Sequence, residues 1–511
     1  MAQSPQRPNG TLQTPKADMP HHDSQDPQEA GPSLHVGGEI FPVVEIRTTG
    51  DVILEVHFEN TGACNKSIPS EDIRKFKISK SSIPSPRIFY RVRLETLNKN
   101  SRYFQHLLGP SFAEGSAIAK AFASLAQSKL NPTEIEAGRL PRIKIVDEDA
   151  ATRTIGRETI FSDMLRIMHG AEHATRPFTL NCLAVLVVMA DRYNALPTVA
   201  RYVQKTLKNF KYPVTLDTKA EEALRQKILI FYHTDQAMRF ASATKELILR
   251  GSSIWSSADE ATTDFQTAWW DLPDGLEGEL AHRRACVLRT IASVQMQCLS
   301  LYSSKDRQCK LGYDSSGACD SFQLGEMVKF LTRKDLLSLV SFQAASPDDT
   351  DDYIWPEIYS GDIENLVGLL RQCPSYQINH YHSHCGLRSK LLPALDYIKI
   401  CVEIGIGIKF GRSRGDWKNN AWRETSKARS EKKAFWVTNE DGEHVDVSGE
   451  KTRAFNFALV NQRATWGIND LGGEKNARSL FTAEKWNWIR EPEDNEKALK
   501  SRFMRADPAL N

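Results

Sequence analysis

The sequence predicts an α+β protein: a mixed module at the N-terminal end, then a mainly α-helical extension, then a small mixed C-terminal segment. Two observations carry this. Runs rich in β-branched and aromatic residues, such as "DVILEVHF" and "RIKIV", fall before residue 150. From about residue 158 onward, apolar residues recur at helical spacing in one segment after another. The order strand, strand, strand, helix pair, strand, three helices is mixed, which is the signature of α+β.

In chain order, residues 1–38 contain almost no aliphatic side chains and cannot bury enough surface to offset ordering, so a disordered tail is expected. Val43 to Arg47 and Val52 to Phe58 are β-rich runs joined by Thr48-Thr49-Gly50-Asp51, which reads as a hairpin. Residues 60–86 are a Lys-, Ser- and Pro-rich insertion. In "YRVRLETLNKNSRYFQHLLGPSFAEG", Leu94, Leu97, Phe104 and Leu108 share a helical face. Ser101 is placed to cap a second short helix, and Gly109-Pro110 stops it. Residues 116–138 form a second insertion, and "PRIKIVDED" reads as a strand with an acidic, solvated exit. Glu158 to His169 is amphipathic and ends at Gly170. Thr179 caps a nearly all-apolar helix running to Tyr193, which belongs at the centre of a core. Leu196 to Phe210 repeats the amphipathic pattern with Val199, Val203 and Leu207.

Residues 219–405 read as the helical extension. "DGLE" at Asp274 to Glu277 has the form of a capping box before a long helix carrying Leu276, Leu280, Val287, Ile291, Val294 and Cys298. Cys-, His- and Gly-containing loops are expected at 305–320 and 371–388, and an acidic linker at 343–353. In 411–511, a mixed and partly disordered segment, six of the ten tryptophans stand among many lysines and arginines. "FWVTNEDGEHVDV" within it reads as a hairpin.

With 511 residues and a net charge of +2, the chain has room for roughly three domains and lacks a strong global field. Any nucleic-acid contact must therefore come from a local patch, such as the basic, Trp-containing C-terminal segment. No apolar run approaches the roughly 18 residues a membrane span needs, and the N-terminus lacks a signal-peptide pattern, so an intracellular protein without a membrane segment is expected. The GxSxG, HExxH and GxxxxGK[ST] motifs are absent. "GIGIKFG", Gly405 to Gly411, departs from the dinucleotide fingerprint at Phe410 and reads as a glycine-rich strand or helix end. A non-enzymatic protein is expected.

One chemical signal stands out. Cys309 and Cys319 in one loop, and Cys373 and Cys385 in another, each open on "RQC". Thiolates and imidazoles suit tetrahedral zinc, so these four cysteines form a candidate structural zinc site, with His382 or His384 as substitute ligands. Buried structural cysteines beside polar loop histidines are the alternative.

The succession "GDVILEV … YRVRLETLNKNSRYF … FAEG … RIKIVDED … FSDMLRIMHG … LAVLVVMADRYNA", within about 39–212, resembles the BTB/POZ domain in the form common among filamentous fungi. Tyr90, Val92, Leu97, Ser101 and Phe104 match the family's aromatic, apolar, Leu, Ser and Phe positions, while Arg93 stands where a small residue or His is usual. The resemblance implies a small sheet capped by helical hairpins and a protein–protein interaction module. It implies self-association, or a substrate adaptor on a cullin scaffold of a ubiquitin ligase. Phe112-Ala113-Glu114 is similar to the hydrophobic-x-Glu element with which some members touch the cullin, which marks Phe112 and Glu114 as protein-binding. The alternative is a chromatin or transcription regulator that associates through the same domain and touches nucleic acid through its basic tail.

Overall fold

The computed structural model describes residues 32–59, 86–148, 151–212, 220–255, 267–309, 311, 316–337, 359–382, 385–411, 413–423, 436–438, 444–446, 453–460 and 470–489. The architecture is mixed α+β, with a five-stranded sheet at the N-terminal end and helices thereafter.

The strands are β1 (Ser33–Val36), β2 (Glu39–Glu45), β3 (Val52–Glu59), β4 (Arg87–Val92) and β5 (Arg142–Glu148), in the sheet order β1-β2-β4-β3-β5. Two expectations change here. The chain is ordered as a strand from Ser33, inside the stretch read as a disordered tail; the remainder of that tail, before residue 32, lies outside the described residues. The runs either side of Gly50 do not pair with each other. The turn is present, with Gly50 N–H donating to Arg47 O at 3.0 Å, but β2 runs parallel to one edge of β4 and β3 antiparallel to the other. The reason lies in β4: its second half is buried throughout, so it needs a hydrogen-bonded neighbour on each side. β5 then adds parallel to β3 and alternates exposed and buried residues along its length, as a sheet edge packed on one face does.

After β4 come two short helices, α1 (Leu94–Asn100) and α2 (Arg102–Leu107). Ser101 Oγ accepts from Phe104 N–H at 3.1 Å, the expected cap, and donates to Tyr193 O at 2.6 Å. The stretch read as a second insertion contains a helix, α3 (Ala113–Gln127). Its alanine-rich sequence favours helix without demanding burial, and only Gly115 and Ile118 are buried.

The three expected helices follow: α4 (Arg157–Met168), α5 (Leu180–Arg192) and α6 (Leu196–Lys205), the last shorter than its apolar pattern suggested. Thr179 Oγ1 caps α5 by accepting from Cys182 N–H, and Leu183 through Val187 are fully buried. The "DED" exit is not solvated where it begins. Asp147 is 1% exposed and paired with Arg157, because β5 ends against α4 and α5.

The extension comprises α7 (Ala220–His233), α8 (Ala237–Arg250), α9 (Leu276–Ser303), α10 (Ser316–Arg333), α11 (Ile363–Arg371) and α12 (Leu387–Gly405). Asp274 does not cap α9. It lies in a left-handed conformation, φ 61°, and its carboxylate accepts from the Tyr232 hydroxyl instead. The C-terminal segment supplies the expected hairpin, β6 (Trp436–Thr438) with β7 (His444–Asp446), then β8 (Ala454–Asn456), α13 (Asp470–Phe481) and β9 (Lys485–Asn487). The main core runs from Ile46 to Trp488 and joins the module, the extension and the C-terminal segment, while a second, smaller cluster gathers Leu34, Val43, Ile53, Phe89, Ala137 and Leu140. The expected linker at 343–353 lies outside the described residues.

Candidate metal centre

Two connections bring the chemistry together. After α9 the chain reverses, and the Asp320 carboxylate, on α10, accepts from the backbone N–H of Gln308 at 2.7 Å and of Cys309 at 3.0 Å. That clamp sets Cys309 beside Cys319, which lies on the first described turn of α10. In the other loop, Asn379 holds a tight turn by accepting from Tyr381 N–H through its side chain and from His382 N–H through its carbonyl. Cys385 N–H donates to His382 O at 3.1 Å, so the His382-x-x-Cys385 spacing puts both side chains on one side of the turn. Tyr302, near the end of α9, donates its hydroxyl to Cys385 O at 3.0 Å. Gln323, fully buried, ties the halves together: its amide donates to Tyr376 O at 2.8 Å and accepts from Leu387 N–H at 3.2 Å.

The result is a Cys3His cluster: Cys309, Cys319, His382 and Cys385, whose ligand atoms all lie within 4.8 Å of one another. Cys309 Sγ is 3.5 Å from Cys385 Sγ and 3.5 Å from His382 Nδ1. Tetrahedral zinc, with bonds of about 2.0–2.3 Å, places its ligands roughly 3.5–3.8 Å apart. Burial, together with the neighbouring Cys385 and Cys309, pushes the Cys319 thiol up to about 12, and burial also raises Cys385. Three thiolates this close repel one another and ionise together only where a cation balances them.

Cys373 does not join the cluster. It is fully buried in the apolar core, its Sγ directed to Pro374 O at 3.7 Å, and burial pushes its thiol up to about 11. The cause is local: Cys373 N–H continues the last turn of α11 by donating to Leu370 O, which turns the side chain inward. His382 takes the place given to Cys373. His384 lies outside the described residues.

No family model, curated protein or solved structure matches the chain.

The other predicted residues sit elsewhere. Phe112 is the N-cap residue of α3 and is 49% exposed, with Glu114 half-buried in the first turn. The turn is closely packed: a Cβ on Gly115 would stand 1.9 Å from Gly109 O, so α3 starts hard against the end of the preceding helical pair. Trp417 and Trp422 of the basic segment are 4% exposed and belong to the core, with the Arg283 guanidinium 4.6 Å over Trp422. They are not stacking platforms. The glycines of "GIGIKFG" answer to packing: a Cβ on Gly407 would meet Ala241 O at 2.4 Å, and one on Gly405 would meet Ala477 Cβ at 2.2 Å. Asp320, Tyr302 and Gln323 were not singled out from the sequence; the Cys319-Asp320 adjacency and the His382-x-x-Cys385 spacing were the signals available. Among the described residues, no helix is long and apolar enough to cross a membrane.

Proposed function

We propose that this chain is a protein–protein interaction adaptor, with a BTB-like module for docking and a zinc-stapled helical extension that carries or shapes the partner surface. The observation that carries the docking half is Phe112, half-exposed at a helix start that packs closely on the preceding helical pair, Gly115 against Gly109. A half-exposed aromatic at a helix start is the kind of side chain that anchors in a pocket on a partner. The small sheet capped by helices, in which Tyr90, Leu97, Ser101 and Phe104 are buried, supports the same reading. A cullin scaffold of a ubiquitin ligase is the partner this reading names first.

The test is co-purification of the full chain with a cullin N-terminal domain. Phe112→Ala should reduce capture roughly thirtyfold or more, matching an anchor of about 2 kcal/mol, with the melting temperature unchanged. Glu114→Ala should weaken it modestly. Capture that is absent in the wild type, or indifferent to Phe112, refutes the cullin assignment.

For the extension, the Cys3His set fits a closed structural zinc site, and one zinc per chain by elemental analysis is expected. Of the basic, Trp-containing segment on which the nucleic-acid-binding alternative rests, Trp417 and Trp422 are in the core and Arg414 and Lys418 face His233 and Asp274, while Lys427, Arg429, Lys432 and Lys433 lie outside the described residues.

A further inference from the structure

Three properties of the cluster point beyond a static staple. First, the ligands are unequally protected: Cys309, Cys319 and His382 are at most 4% exposed, whereas Cys385 alone is half-open to solvent. Second, Cys309 Sγ and Cys385 Sγ lie 3.5 Å apart and both stand on irregular connections, while Cys319, which hydrogen-bonds both, is held within a helix. Bringing them to the roughly 2.05 Å of a disulfide needs only loop adjustment. Third, the cage is framed by hydrogen bonds that involve no ligand side chain: Asp320 to Gln308 and Cys309, Tyr302 to Cys385 O, Gln323 to Tyr376 and Leu387. The loops therefore have a fixed geometry to return to once the metal has left.

We infer that the centre is a peroxide-responsive zinc switch, in which Cys385 is the sulfur attacked by oxidant and Cys309 the sulfur that resolves it. This rests on the zinc reading above. The chemistry closes with hydrogen peroxide as the oxidant. The Cys385 thiolate attacks one peroxide oxygen, an S–O bond forms, the O–O bond breaks, and hydroxide leaves, giving a sulfenic acid. The Cys309 thiolate then attacks that sulfur, the S–S bond forms, the S–O bond breaks, and a second hydroxide leaves. The two sulfurs together lose two electrons and the peroxide, gaining them, ends as two waters or hydroxides. The divalent zinc, left with Cys319 and His382, passes to any competing chelator. Reduction by a dithiol restores the two thiolates and the site.

The experiment uses the full zinc-loaded chain, treated with hydrogen peroxide near equivalence in the presence of a chromophoric zinc chelator. Non-reducing peptide mapping follows, then dithiothreitol with added zinc. Loss of about one zinc per chain, in step with a Cys309–Cys385 disulfide and reversed by the dithiol, is the result expected. Cys182→Ser, which removes a partly exposed thiol outside the cluster, should leave release unchanged. A purified protein without zinc overturns the zinc reading itself. A protein that holds zinc but keeps it under peroxide, or loses it with a different sulfur pair joined or with irreversible sulfinic acid at Cys385, overturns the switch and leaves the zinc reading standing.

Discussion

Arg157 Nε lies 2.6 Å from Asp147 Oδ2, with both side chains 1% exposed. The pair is not isolated: Tyr193 donates its hydroxyl to Asp147 Oδ1 at 2.8 Å, Arg192 reaches the same oxygen at 3.2 Å, and Arg157 also donates to the carbonyls of Asp147 and Glu59. This network joins the ends of β3 and β5 to α4 and α5. Its value lies in completeness, since either charge alone would be stranded away from water.

Asp147→Ala should therefore cost about 3–5 kcal/mol by leaving Arg157 buried without its carboxylate. Tyr193→Phe should cost about 1–2 kcal/mol, because the carboxylate keeps its arginines but loses a donor. Denaturant midpoints measured on the full chain check both. A Tyr193→Phe cost equal to that of Asp147→Ala contradicts the ranking.

Removing His382 or Cys319 should abolish zinc retention, whereas Cys373→Ala should keep the metal and lose about 1–2 kcal/mol through its small cavity. Elemental analysis beside a melting curve separates the two effects. Zinc lost from Cys373→Ala with folding intact would contradict the assignment of His382 as the fourth ligand.

Acid should destabilise the extension through His233. Its Nδ1 faces Arg414 NH1 at 3.0 Å; because arginine can only donate, the imidazole accepts there and is neutral. Burial first, with Arg414 adding to it, pulls this histidine from 6.5 down to about 4, although Asp191 at 3.9 Å pulls the other way. Between those values the unfolded chain binds a proton that the folded chain refuses. The stabilisation is complete above about pH 6.5 and is lost as pH falls toward 4, by up to about 3 kcal/mol. His233→Gln should flatten this limb of a stability–pH curve. An unchanged curve counts against it.

Gly115→Ala should cost about 1–3 kcal/mol, since its Cβ would be driven onto Gly109 O and the start of α3 must shift. Because Phe112 rides on that turn, partner capture should fall in the same variant. Full capture by a destabilised Gly115→Ala chain would separate the anchor from the close packing beneath it.

Buried-core polarity was written into α5 and α9. Leu183, Leu186, Val287, Ile291 and Val294 follow helical spacing, and Leu183→Asp should unfold the module by stranding a charge among them. The caps at Ser101 and Thr179 were equally legible, because a cap is a contact between residues three apart. So was the presence of a Cys/His centre, since soft ligands gathered in two stretches of the sequence carry their chemistry in their identity. What only the tertiary structure decided depends on which surfaces meet. The runs flanking Gly50 separated because β4, distant in sequence, needed partners on both edges. Asp147 left the solvent because two helices closed over it. His382 displaced Cys373 because the final turn of α11 points Cys373 into the core, and sequence spacing does not encode that direction. Residue types fix what a side chain can do; the packing of elements far apart in the chain fixes which neighbour it does it with.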